Sequence, residues 1–308
     1  MTGDRRLATA RYPQGGSLRF FAVCVSIVAG AASGCRSPND QAEKPASGPK
    51  SRLVCLTPSS TEAVLAVANA QIIVGVDKFS KAELAAVARH ESVGDFISPS
   101  MEAILRLEPD LVVLDADQKQ VEEGLATAGI ATLPLRMKMA GDVTEGIRLV
   151  GVALERTEQA DRAIAQIEAD LAAVEQLVVD KRGDGPAPRV LFIVDREMGG
   201  LGNLISTGPG TYIDELIRSV GAVNVLSDSP VAYPRISVEE VITRAPDVII
   251  DAVHTRELQR AVSDWDVLST VPAVKNGRVH VLGDTKYTHP TPRLGETLRG
   301  LAERVYAQ

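Results

Sequence analysis

Two stretches far apart in the chain are written in one pattern. SMEAILRLEPDLVV begins at Ser100 and SVEEVITRAPDVII begins at Ser237. Ser, Glu, a branched apolar residue, Pro-Asp and three branched apolar residues recur at identical offsets. Each block reads as a helix, a turn and a buried strand. Ser100 and Ser237 are good N-caps. Glu102 and Glu239 fall in the first turn, where the helix dipole favours negative charge. Pro-Asp stops the helix, and the apolar run that follows suits a strand covered on both faces. A chain that repeats such a unit is expected to build two similar lobes.

The flanking sequence extends each lobe. Arg52 to Leu56, Ile72 to Val76, Leu111 to Leu114 and Thr132 to Leu135 read as strands of the first, and Ser59-x-x-Glu62 as a capping box opening a helix. Val190 to Val194, Val248 to Asp251 and Val279 to Leu282 read as strands of the second, with Thr211-x-x-Asp214 as another helix start. Between them no Gly or Pro occurs from Val152 to Arg182. Thr157 is placed to cap a helix from Glu158 to about Asp180. Ala160, Ile164, Ile167, Leu171, Val174 and Val178 form its single apolar face. At 1.5 Å per residue it would run about 34 Å, long enough to act as a strut; the alternative is a crossover helix inside one large domain. The fold class is therefore α/β: two lobes with largely parallel sheets flanked by helices, joined by one long helix, with a ligand cleft between the lobes. The boundaries read from this are 52–140 for the first lobe, 141–182 for the helices that include the strut, and 183–308 for the second.

The N-terminus is read as a targeting segment over residues 1–34. Arg5, Arg6, Arg11 and Arg19 precede FFAVCVSIVAGAA, which is too short to span about 30 Å of hydrocarbon. Ala32-Ser33-Gly34-Cys35 resembles a bacterial lipobox, with Ala32 where Leu is usual, so Cys35 is the expected lipidated residue; simple cleavage with Cys35 incidental is the alternative. Residues 35–51, rich in Pro, Ser and charge, read as a flexible tether. Cys24 leaves with the signal, and Cys55 sits in an apolar run as a small core residue. Removing the four basic and one acidic residues of the targeting segment from the chain's 33 and 40 leaves 29 against 39, a net charge of −10. That balance argues against nucleic acid as a partner.

RLVCLTPSSTEAVLAV, IIVGVD and VGDFISPSMEAILRLEPDLVV resemble the first lobe of the helical-backbone periplasmic solute-binding proteins of ABC importers. STGPGTYIDELIRSVGAVNV, YPRISVEEVITRAPDVII and WDVLSTVPAVKNGRVHVL resemble their second lobe. The likeness runs from about Arg52 to Ala307 and is closest to the cobalamin-binding branch. It implies an exported, lipid-anchored, monomeric protein that captures a small metal chelate and delivers it to a permease dimer with ATPase subunits. The implied ligand is a corrinoid; a ferric siderophore or haem is the alternative. In this family Glu102 and Glu239 would dock onto arginines of the permease.

Ligands of open α/β sheets lie beyond the carboxyl ends of the strands. Those ends carry Thr57, Phe79, Phe96, Asp115 and Arg136 in the first lobe, and Asp195-Arg196-Glu197, Tyr233 and Tyr287 in the second. Aromatic faces suit flat macrocycles, so Phe79, Phe96, Tyr233, Thr57, Asp115 and Tyr287 are the candidate ligand-binding residues. Asp115 stands where a close cobalamin binder would carry an aromatic. Trp265 reads as core. His90, His254, His280 and His289 have no metal-site spacing; only His289, in a Pro-rich loop, could reach the cleft and ligate cobalt or iron. There is no G-x-S-x-G elbow and no phosphate-binding G-x-x-x-x-G-K loop, so no catalytic residue and no cofactor is expected. A periplasmic enzyme or a sensor on the same scaffold is the rival class.

Overall fold

The computed structural model describes residues 50–197, 199–252 and 258–307. The predicted targeting segment, Cys35, His254 and all but the end of the predicted tether lie outside them. The described residues belong to one compact unit.

The first lobe alternates β1 (Leu53–Cys55), α1 (Pro58–Val67), β2 (Ile73–Val76), α2 (Lys78–Glu83), β3 (Glu91–Ser92), α3 (Met101–Arg106), β4 (Leu111–Asp115), α4 (Lys119–Thr127) and β5 (Thr132–Leu135). Its sheet is wholly parallel, in the order β3-β2-β1-β4-β5. Alternate residues feed the two faces. Leu53, Cys55, Leu111 and Val113 enter one apolar cluster, and Val54, Leu56, Val112 and Leu114 the other. Burial pushes the Cys55 thiol up to about 12, which leaves it an inert core residue.

Two helices then follow, α5 (Asp142–Ala153) and α6 (Thr157–Arg182), before the second lobe. It comprises β6 (Arg189–Asp195), β7 (Leu204–Ser206), α7 (Tyr212–Ser219), β8 (Val223–Asn224), β9 (Arg235–Ile236), α8 (Val238–Arg244), β10 (Val248–Asp251), α9 (Leu258–Ser263), α10 (Pro272–Lys275), β11 (Val279–Val281) and α11 (Leu294–Val305). The sheet order is β11-β10-β6-β7-β9, with β8 also on β6. This sheet is largely parallel as expected, with one reversal: β7 pairs antiparallel with both β6 and β9, so it alone runs against the other strands. The glycines of the 199–202 turn let the chain fold back after β6. Gly208 lets two backbones meet: a Cβ there would lie 2.2 Å from the Val231 carbonyl oxygen.

The 26-residue α6 spans both cores. Ala160, Ile164 and Ile167 pack into the first lobe, Val174 and Val178 into the second, and Leu171 touches both clusters. It starts one residue earlier than expected. Arg156 occupies the N-cap without a side-chain bond, so Thr157 is helical rather than capping. The first helix also begins early. Pro58 has no N–H to lose in the first turn, and Thr57 and Ser60 cap reciprocally at 3.2 and 3.1 Å. Glu62 is thereby released from the capping role assigned to it.

The repeat is structural down to single atoms. Ser100 Oγ accepts from Ala103 N and Ser237 Oγ from Glu240 N, each at 3.2 Å. Asp110 Oδ2 accepts from Arg52 N at 3.0 Å, and Asp247 Oδ2 from Arg189 N at 2.9 Å. Each aspartate thus pins the strand that follows it, β4 or β10, to the first and central strand of its lobe, β1 or β6. Asp110 also holds Ser51 N at 3.0 Å, so the last residue assigned to the tether is already tied to the lobe. Glu108 and Ala245, at matching positions before the prolines, both take positive φ, 45° and 43°. A side chain costs roughly 1 kcal/mol in that region. We expect Ala245→Gly to raise unfolding stability by about 0.5–1 kcal/mol and Asp247→Ala to lower it by about 1 kcal/mol. Urea unfolding of the two variants checks both signs.

Candidate functional site

The loops at the carboxyl ends of the strands enclose a cavity of about 750 Å³ between the lobes. From the first lobe come Thr57, Pro58 and Ser59 after β1, Phe79 and Glu83 on α2, Phe96 after β3, Asp115 ending β4, and Met137 and Lys138 after β5. The second lobe contributes Tyr212 at the start of α7, Tyr233 ahead of β9, and Thr285, Thr288, His289 and Pro290 after β11.

Short-range bonds hold the aromatic wall. Asp77 Oδ1 accepts from Phe79 N at 2.9 Å and Ser80 N at 3.1 Å, which fixes the start of α2. Gly94, at φ 102°, bridges to Pro99 and makes a tight loop with Phe96 near its tip. Asp95 Oδ1 accepts from Ile97 N and Ser98 N inside that loop. The Phe79 and Phe96 rings lie 5.7 Å apart, tilted by 47°. Gln118 secures the loop from outside: its Nε2 donates to the Phe96 carbonyl at 2.6 Å, while its Oε1 accepts from Asp115 N at 2.8 Å. Phe96 is 45% exposed, and Tyr233 on the other lobe is 53% exposed.

The polar side is internally compensated. Lys138 Nζ lies 3.2 Å from both Asp115 oxygens and 3.0 Å from Asp117. Burial works to lower the Lys138 ammonium, but the two carboxylates outweigh it and hold it above its ordinary range. A side recess of about 580 Å³ opens beyond this pair and shares Thr57, Phe96, Asp115 and Lys138 with the main cavity.

The floor is a buried node between lobes. Glu62 on α1, 6% exposed, reaches across to the second lobe. Its Oε1 lies 3.1 Å from His289 Nε2, and its Oε2 accepts from Thr291 Oγ1 at 2.6 Å and Arg293 Nε at 2.8 Å. Burial by itself would raise the carboxyl, yet the bonds from His289, Arg293 and Thr291 bring it down to about 2. An ionised carboxylate only accepts, so His289 Nε2 carries the proton of that bond. Tyr212, 3% exposed beside this node, has a hydroxyl with no partner among the described residues.

A sequence model of the family described as periplasmic binding protein matches residues 53–285. The chain belongs to that family. This periplasmic binding protein is 25% identical over 225 residues to the vitamin B12-binding protein of Pectobacterium atrosepticum, covering 72% of this chain and 79% of the other. It is 26% identical over 264 residues to the cobalamin-binding protein of Halobacterium salinarum, covering 83% and 69%. Among solved structures, the periplasmic heme-binding protein RhuT from Roseiflexus sp. RS-1 in apo form superposes with a TM-score of 0.73. It is 27% identical, with 83% of this chain and 98% of that one covered. An ABC transporter substrate-binding lipoprotein of Bacillus subtilis is a further relative, 26% identical over 264 residues with 83% of this chain and 80% of the other covered, and membership of the family implies export. Among the described residues, no helix is long and apolar enough to cross a membrane.

Of the predicted ligand-binding residues, Phe79, Phe96, Thr57, Asp115 and Tyr233 meet at the one cavity. Tyr287 does not. It is 3% exposed in the core of the second lobe, with Arg304 Nη1 donating to its hydroxyl at 3.3 Å. Its neighbours Thr285 and Thr288 line the cavity instead, because the short helical turn there rotates Tyr287 inward. Arg136 is exposed and outside the wall; Lys138, two residues on, is the cation that lines it. Arg196 is buried and bonds Asp251 at 2.8 Å and Asp264 at 2.9 Å, a clasp within the lobe. Trp265 is fully buried as expected, donating to Asp251 at 2.9 Å. Glu102 and Glu239 are exposed in the first turns of α3 and α8. Sequence reading missed Glu62, Gln118 and Lys138 as parts of the site.

The Glu62 node has a defined pH signature. A carboxyl held at about 2 against an ordinary 4.5 contributes stability that is complete above pH 4.5 and fades as pH falls through about 2. Glu62→Gln is expected to cost roughly 3 kcal/mol near neutrality, as for breaking a buried ion pair. The deficit should shrink steadily below pH 4.5, which denaturant unfolding of both proteins across pH 2–7 measures.

Proposed function

We propose that this protein captures a corrinoid between its lobes and delivers it to the permease of an ABC importer, carrying out no chemistry itself. The observation that carries this reading is the pair Phe96 and Tyr233. Two half-exposed aromatic rings, one per lobe, flank a single cavity. Leaving such surface in water is unfavourable unless a flat apolar ligand covers it. The names of the Pectobacterium and Halobacterium relatives agree with a corrinoid, and that of the Roseiflexus relative supports haem as the second reading. Charge favours the first. The wall carries Asp115 and Glu83, and its one lysine is already paired with Asp115 and Asp117. A dicarboxylate such as haem would meet carboxylates there, whereas a corrinoid rimmed with neutral amides would not. A ferric siderophore is a further outcome of the same test. In a calorimetric titration the protein should bind cobinamide or cobalamin, and Phe96→Ala with Tyr233→Ala should weaken binding about tenfold or more without loss of fold. Binding of haemin or a ferric siderophore in place of any corrinoid overturns the reading.

The same reading assigns Cys35 as the lipid anchor, a residue outside those the structure describes, and Glu102 and Glu239 as contacts for the two halves of a permease dimer. One exposed carboxylate per lobe, at equivalent positions, suits a partner built from two like subunits. In the host, Glu102→Ala with Glu239→Ala should abolish uptake while ligand affinity is kept, and Cys35→Ser should move the protein into the soluble exported fraction. Normal uptake by the double variant at matched protein level removes the docking role. A membrane-bound Cys35→Ser removes the anchor.

A further inference from the structure

We propose that His289 supplies a metal-binding nitrogen to the cargo: its Nδ1 takes an axial position on a metal already held by a planar chelate. This rests on the reading of the cleft as a chelate site and adds the atom that would recognise the metal itself. His289 is in the cavity wall, between Thr288 and Pro290. Its Nε2 is committed to Glu62 at 3.1 Å, and Glu62 is itself fixed by Thr291 and Arg293. The carboxylate therefore sets the ring orientation and, in the neutral ring, the tautomer, with the proton on Nε2 and the lone pair on Nδ1. That nitrogen has no hydrogen-bond partner among the described residues and is not among the buried unpartnered atoms. Metal-ligating histidines commonly give one ring N–H to a carboxylate while the other nitrogen binds the metal. The loop is stiff as well: Thr288 Oγ1 donates to the Thr285 carbonyl at 2.9 Å, and Arg293 N to Thr291 Oγ1 at 3.1 Å.

No group of three or more His, Cys, Asp or Glu that could hold a metal ion occurs among the described residues. One imidazole alone does not retain a bare ion, but it completes a metal whose other positions a macrocycle fills. The step is a ligand exchange. The bond from metal to axial water breaks, the bond from metal to Nδ1 forms, and water leaves; no electron and no proton is transferred. Cobalt(III) in a corrinoid and iron(III) in haem share this chemistry, and the choice of probe separates them.

The test uses the mature protein with diaquacobinamide, dicyanocobinamide and haemin. Binding of diaquacobinamide should shift its visible band as imidazole replaces water. Dicyanocobinamide, whose axial positions are occupied, should bind at least tenfold more weakly. His289→Gln keeps a donor for Glu62 but offers no coordinating nitrogen. It should keep the melting temperature, lose the band shift and bind diaquacobinamide at least tenfold more weakly. Equal affinity of the wild type for the two cobinamides overturns the proposal whether or not the variant folds, as does an unchanged bound spectrum in His289→Gln. If haemin alone binds, with a His289-dependent spectral shift, the corrinoid reading falls and the His289 proposal stands. If no probe binds the wild type, both fall.

Discussion

The relation between the lobes depends on one buried carboxylate. Glu62 belongs to the first lobe by chain and to the second by bonding. A desolvated carboxylate costs several kcal/mol unless paired, and all of its charged and ring partners lie beyond β11. Separating the lobes at this point would strand the charge. The cleft therefore has a fixed floor, and its aromatic walls stand at a set distance before any ligand arrives. On another side α6 ties the two cores through a continuous apolar stripe, with Leu171 at the junction. Ala140 N adds a cross-lobe bond to Glu215 Oε2 at 2.8 Å. A helix without Gly or Pro and a buried ionic node both resist a wide hinge motion.

That rim and the floor divide the work of recognition. The rim offers surface: exposed rings whose burial rewards any flat apolar face. The floor and the polar side offer selectivity, because their charges are already matched. Lys138 is saturated by Asp115 and Asp117, and Arg293 by Glu62 and Asp284. An anionic ligand would have to break one of these pairs to gain another, a near-neutral exchange after desolvation. A neutral ligand leaves them intact. Asp115, which stands where an aromatic would be expected, thus gives up part of the stacking surface and gains a charge pattern that disfavours carboxylates.

Much of this was legible in the residues, and the failures share a cause. The repeat, the long helix and Ser100 and Ser237 as caps are local or periodic features, and the structure carries them. Phe79, Phe96 and Tyr233 were legible because aromatics are scarce here and these fall at strand ends. Glu62 was misread because a local rule, the capping box, had a claim on it; Thr57 and Ser60 filled that role and left its side chain free to reach a lobe more than 200 residues away in sequence. Gln118 and Lys138 act through contacts made by neighbouring strands of the folded sheet, which no spacing encodes. Tyr287 had the right position but the wrong rotation, set by a single helical turn. The reversed β7 and the short β9 escaped because strands of two or three residues carry no period.

The repeat also allows its shared residues to be sorted by use. Ser100 and Ser237 are consumed in capping, Asp110 and Asp247 in pinning strands, and Glu108 and Ala245 in a strained turn ahead of proline. Each pair solves the same backbone problem once per lobe, so a purely structural demand explains why both copies keep it. The two glutamates differ. Glu239 is exposed, and its carboxyl is held low by its own backbone N–H and by Ser237, a local helix-end role. Glu102 is equally exposed but makes no hydrogen bond or ion pair with another described residue. Both nevertheless sit in the first turn, where the helix dipole favours a carboxylate with or without a bond of its own. Helix stabilisation is thus a demand the two copies share, and docking on a two-fold partner, as proposed, would be a second demand that falls on the same exposed pair.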